Sequence, residues 1–146
     1  MVRLRRIQIV LLLVTLTPLL SGCPKDPYRA SIQGSADVSS AVSSAVKITA
    51  SYYSAGTIND AKKAQVASVL NTVTDCNITF RKAVTDVHNA GQTGVAAFLP
   101  VADSFVHCAQ ISPQAKADVT MSNILKAVDT AINGVEVAVA SAKGVK

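Results

Sequence analysis

The chain has no tryptophan, three phenylalanines, two histidines and a single glutamate, Glu136. Each shortage removes a class of chemistry. A carboxylate-bridged di-iron bundle needs glutamates and a Glu-x-x-His pair on facing helices. Neither that pair nor His-x-x-x-His occurs, so no metal is expected. Covalent haem needs Cys-x-x-Cys-His, which is absent. A non-covalent Met/His pair would have to join Met121 to His107 or His88. Helical heights argue against both, since His88 falls near the opposite end of the chain's helical body. No Gly-x-Ser-x-Gly elbow or phosphate-cradling Gly-x-x-x-x-Gly-Lys loop is present either. The expectation is no cofactor and no catalytic set.

Charge is also scarce. The formal net charge is +5, but Arg3, Arg5 and Arg6 lie in a leader-like segment, and residues 23–146 carry only +2. Lys62-Lys63 and Arg81-Lys82 are the only basic pairs there. Nucleic-acid affinity comes from a concentrated basic face that releases counterions. These isolated pairs do not make one, and no nucleic-acid partner is expected. Large apolar side chains are few as well. The mature-like part is built of Ala, Val, Ser and Thr, which bury little area each, so its core should be thin.

What is present begins at the N-terminus. Three arginines precede an apolar run from Ile7 to Leu16, broken only by Gln8 and Thr15. That run is shorter than the roughly 18–20 residues that span a bilayer, and it reads as a signal peptide. Leu20-Ser21-Gly22-Cys23 closes it. This tetrapeptide resembles the lipobox of bacterial lipoproteins at all four positions. The resemblance covers residues 1–23 and implies a processing route. A diacylglyceryl group is added to the Cys23 thiol, cleavage before Cys23 follows, and the domain is held by lipid on the outer side of a membrane. The side expected is periplasmic, at the inner or outer membrane, or the cell surface. Burying acyl methylenes at about 0.8 kcal/mol each makes two or more chains a stable anchor. Pro24, Pro27 and Gly34 then suggest a flexible tether over residues 23–35.

From residue 36 to 146 the pattern is helical, with no convincing strand. Val38, Ala41, Ala45, Ile48 and Tyr52 place one helix over about 36–55. A second is expected over about 58–90, opened by a Thr57/Asp60 capping box and carrying Val66, Val69, Val73, Cys76, Phe80, Val84 and Val87 on one arc. A third, over about 95–110, contains Pro100, which should kink it or mark its start. A fourth opens at Ser112-Pro113 and carries a stripe from Ala117 to Ala142. Short connections between amphipathic helices imply antiparallel neighbours. The fold expected is all-α, an up-down four-helix bundle. Gly134, inside the fourth helix, costs about 1 kcal/mol against alanine unless another helix approaches there.

Cys76 and Cys108 lie equally far from the turn near Gln92, so an antiparallel hairpin puts them at one height. Export would place them where disulfides persist. A structural disulfide between them is expected, rather than a redox-active pair. His88 and His107 are expected in exposed or capping roles, and one of Tyr52 and Tyr53 must face solvent. Asn77-Ile78-Thr79 matches a glycosylation sequon by chance. The functional expectation is a lipid-tethered structural or interaction module with an envelope protein partner. A carrier of a small apolar ligand is the alternative, which an apolar pocket above about 300 Å³ would support, and an envelope enzyme ranks third.

Overall fold

A computed structural model describes residues 26–142. The protein is all-helical over this range, with α1 (Pro27–Ser54), α2 (Asp60–Asn89), α3 (Val95–Ala109), α4 (Pro113–Ala117) and α5 (Val119–Ser141). The four long helices form a bundle in which α1 packs on α2, α2 on α3, α3 on α5, and α5 most extensively back on α1.

Cross-helix pairs fix the directions. Tyr28 stacks on His88, Asn77 bonds Ser35 and Ser39, and Tyr53 bonds Asp60. The residue numbers of each pair add to nearly the same value, as in an antiparallel hairpin. Phe80 with Phe105 and Cys76 with Cys108 give α2 and α3 the same relation. Gly34 lies against Val135, while the start of α5 is tied to the start of α2 through Lys62 and Asp118. Helix α5 therefore runs antiparallel to α1. The beginning of α1, the α2–α3 turn and the end of α5 share one end of the bundle. The α1–α2 turn and α4 occupy the other.

Local chemistry explains the boundaries. Both long turns use a glycine with positive φ, Gly56 at 71° and Gly91 at 76°. After α1, Gly56 N–H donates to the Tyr53 carbonyl and Thr57 N–H to that of Tyr52. After α2, Gly91 and Gln92 repeat the pattern with His88 and Val87. This Schellman arrangement satisfies the last carbonyls of a helix and needs a left-handed residue. The start of α2 differs from the expected capping box. Asn59 is the cap, its side chain accepting from Lys62 N–H at 2.9 Å.

Three expectations need correcting. The tether does not extend to residue 35, because α1 begins at Pro27. Asp26 caps it by accepting from Tyr28 N–H at 3.0 Å, and Pro27 sits at the first helical position, where no N–H is needed. A proline read as an interruption is a helix start. Ala30, Ser31, Gly34 and Ser35 are then fully packed into the bundle. Next, α3 begins at Val95 as expected and holds Pro100 in its interior, so of the two roles considered for Pro100 it does not mark the start. The carbonyl that loses its donor belongs to Ala96, an exposed residue, so the missing bond falls where solvent has access. Finally, the fourth helix is two. Asp118 leaves the helical region with φ −77° and ψ 114°, and its carboxylate caps α5 by accepting from Met121 N–H at 2.9 Å. A short side chain able to bond the backbone locally competes with helix continuation.

The core runs the length of the bundle through Val38, Val66, Val73, Phe98, Phe105, Ile124, Leu125, Val128 and Ile132, with one connected cluster. Phe80 and Phe105 lie with ring centroids 4.8 Å apart. Helix α3 buries Phe98, Ala102, Phe105 and Ala109, which leaves Cys108 at the edge of that face. The closest helix approach is at Gly34, where an added Cβ would lie 3.1 Å from Val135 Cγ2. Gly134 has open space instead, with nothing within 4 Å of an added Cβ, and its φ is ordinary. Gly134→Ala should therefore raise stability by about 0.4–1 kcal/mol, by restricting the unfolded chain and favouring helix. A thermal melt that falls on this substitution contradicts the placement.

Candidate functional site

Cys23, the residue expected to carry lipid, lies outside the described residues, as do the leader and the first residues after it. Cys76 and Cys108 are brought together. Their sulfurs lie at bonding distance, with Cα atoms 5.8 Å apart and a sequence separation of 32. Their height match follows from the hairpin, and the pair pins the C-terminal end of α3 to the middle of α2, about one turn from the Phe80–Phe105 contact.

The two histidines are far apart. His88 stacks on Tyr28, with centroids 4.0 Å apart and planes inclined by 16°, at the end where α1 begins. His107 is exposed beside Cys108, about halfway along the bundle, with Nε2 3.5 Å from Asp103 Oδ1. Met121 is buried at the start of α5. The axial pairing considered from sequence is therefore not assembled with His88, and His107 points its ring at Asp103 in solvent. Among the described residues no group of three or more potential metal ligands occurs.

Tyr52 and Tyr53 divide as expected. Tyr52 packs partly buried against the core, and Tyr53 is 38% exposed. Tyr53 is nonetheless engaged. Its hydroxyl donates to Asp60 at 2.7 Å, and Lys63 Nζ sits 4.0 Å from its ring centroid, within cation–π range. The nearby Asp60 carboxylate, through its hydrogen bond and its charge, raises the phenol pKa above the ordinary tyrosine value. Tyr53 thus clamps the α1–α2 turn.

Sequence reading missed a groove of mixed lining at this same end. It has a volume of about 350 Å³ and opens to solvent between α2 and α4. Lys62, Gln65, Gln114 and Asp118 line it, with Met121 at its base. A smaller hollow of about 150 Å³ continues past Val69 and Thr72 toward Gln110. The signal for it was the break at Asp118, which turns α4 away from the axis of α5; Lys116 Nζ then reaches back to Asp129 Oδ1 at 2.8 Å. Lys62 Nζ donates to Asp118 Oδ2 across the groove. That bond, then the Met121 N–H, holds the Asp118 carboxyl below its ordinary pKa.

The sign of the pH effect follows. A carboxylate with a depressed folded pKa adds stability that is complete above its unfolded pKa, near 4, and is lost as pH falls through the folded value. Asp118→Asn keeps a competent cap but removes the charge. Wild type should be the more stable at neutral pH, and the gap should close below about pH 4. Melts from pH 7 to 2 test this; a gap that persists unchanged in acid contradicts the ion pair as its source.

The Asn77 sequon is structural. Asn77 is 6% exposed, and its Nδ2 donates to the Ser35 carbonyl at 3.1 Å and to Ser39 Oγ at 3.0 Å. It joins α2 to the part of α1 that the sequence reading had placed in the tether. Among the described residues no helix is long and apolar enough to cross a membrane. Comparison with protein families, with curated proteins and with solved structures finds no match to this chain.

Proposed function

We propose that this chain is an exported lipoprotein, cut before Cys23 and lipidated there, whose helical domain works as a structural or protein-interaction module of the cell envelope. The observation that carries the reading is the ordered series of arginines, apolar run and Leu-Ser-Gly-Cys tetrapeptide in residues 1–23. The fold adds support of a different kind. Helix α1 is capped by Asp26, three residues after Cys23, so lipid on that cysteine would leave the bundle close to the bilayer, with little slack. The Tyr28–His88 end would face the membrane, and the groove and the Tyr53 turn would face away from it. The partner expected is an envelope protein that docks on that outward end.

The two hollows described above are open to solvent, and the larger mixes apolar lining from Val69, Ala115 and Met121 with Lys62, Gln65 and Asp118. A hollow this open suits a docking partner better than an enclosed ligand, although its size and mainly apolar lining keep a small apolar ligand as the second reading.

The experiment is mass spectrometry of the N-terminal peptide of protein extracted from its native envelope. A chain beginning at Cys23 and carrying acyl mass is expected, and Cys23→Ser should release the protein from membranes on fractionation. A native chain that begins upstream of Cys23, or that has no acyl mass there, overturns the reading.

A further inference from the structure

The two cysteines are unequal. Cys76 is 5% exposed and belongs to the core cluster with Phe80 and Phe105. Cys108 is an exposed residue at the edge of the buried face of α3. The bond therefore has a buried end at Cys76 and a surface end at Cys108. Thiol–disulfide exchange requires a thiolate to reach one sulfur and the other to leave. Here only one order is geometrically open.

We propose that the Cys76–Cys108 bond is a site of one-sided exchange, broken and remade only through Cys108, with a dithiol oxidoreductase as the partner. In reduction, the partner's thiolate attacks Cys108 Sγ. The Cys108–Cys76 bond breaks, and its electron pair leaves on Cys76 Sγ, which takes up a proton from solvent. The partner's second thiol then attacks its own sulfur in the mixed disulfide and releases the Cys108 thiol. The partner ends as a disulfide and this chain as two thiols, so two electrons and two protons have passed. Oxidation runs the same steps backwards, with Cys108 again the sulfur that meets the partner. Cys76 is the buried resolving group, and its exit into apolar surroundings slows the exchange without redirecting it.

The test uses the full chain, first shown by mass to hold the bond. It is mixed with a thioredoxin-class protein whose resolving cysteine is serine, which traps the mixed disulfide, and the adduct is located by peptide mass. That mapping also separates both sites from Cys23. An adduct on the Cys108 peptide is expected. An adduct on Cys76, an even split, or none until the chain is denatured overturns the proposal, as does a chain that holds no bond at the outset. A second reading comes from C76S and C108S, each confirmed helical by circular dichroism and titrated with an aromatic disulfide reagent. Cys108 in C76S should react at the rate of a free surface thiol. Cys76 in C108S should react about 100-fold more slowly, through local opening. Equal rates overturn the proposal. If either variant does not fold, the trapped wild-type adduct decides alone.

Discussion

Reduction of the Cys76–Cys108 pair, or its replacement by two serines, is expected to lower the stability of the domain by about 3–4 kcal/mol. The estimate is the loop-closure entropy that a bond between residues 32 apart removes from the unfolded chain. It is a large fraction of the roughly 5–15 kcal/mol that holds a domain together. The core gives little to spare, because α1 buries mainly Ala, Ser, Gly and Thr beside Val38. The melting temperature should fall by roughly 10–20 °C, on the usual scale of several degrees per kcal/mol for a domain of this size. Melts with and without reductant measure it, and the double-serine variant should be insensitive to reductant. A drop of less than about 1 kcal/mol would mean that the unfolded chain is already held compact near these residues. The loss should be felt first where α3 joins α4, because Cys108 grips α3 one residue before that helix ends.

Enlarging Gly34 should cost nearly as much. A single methyl placed there already meets Val135 Cγ2 at 3.1 Å, and the Val135 backbone is 3.5 Å away. Gly34→Ala should be close to neutral, with about 1 kcal/mol of gained helix propensity set against the crowding. Gly34→Leu has no such escape, because its branches would fall where α5 now stands. A loss of about 3 kcal/mol is expected, at the upper end of what overpacking costs. The control is Val135→Ala in the leucine background, which should recover part of the loss by vacating the contact, while the same change alone destabilises by leaving a hollow. Were Gly34→Leu to melt with the wild type, the close α1–α5 approach would be wrong and residues near 34 would lie outside the bundle.

That last possibility was the reading from sequence, and the reason it failed is instructive. Helical periodicity shows where apolar side chains repeat, and it found α2, α3 and α5 because Val, Phe and Ile mark their inner faces. The first two turns of α1 are marked by Ala30, Ser31, Gly34 and Ser35, residues that read equally well as linker. Only the partner helix gives them meaning, since Val135 needs the missing side chain of Gly34. Pro27 had the same ambiguity, resolved by the Asp26 cap in front of it. The break at Asp118 was hidden for the converse reason. The apolar stripe continues across it, through Ala115 to Met121, and periodicity does not register a cap that interrupts the backbone while preserving the face. The cysteine pair was legible because its geometry depends only on counting from a turn. The groove beside Lys62 was not, since it depends on where α4 lies once that break has formed.

The shared end of α1 and α5 has a practical corollary for anyone labelling this protein. A fluorophore placed at Ser141, where α5 ends, would sit at the same end of the bundle as the start of α1. The turn at Gly56 lies at the far pole, separated from that start by the 28 residues of α1, about 42 Å at 1.5 Å per residue. A probe inserted there reports on that pole, and its distance from a label at Ser141 would give the length of the bundle in solution.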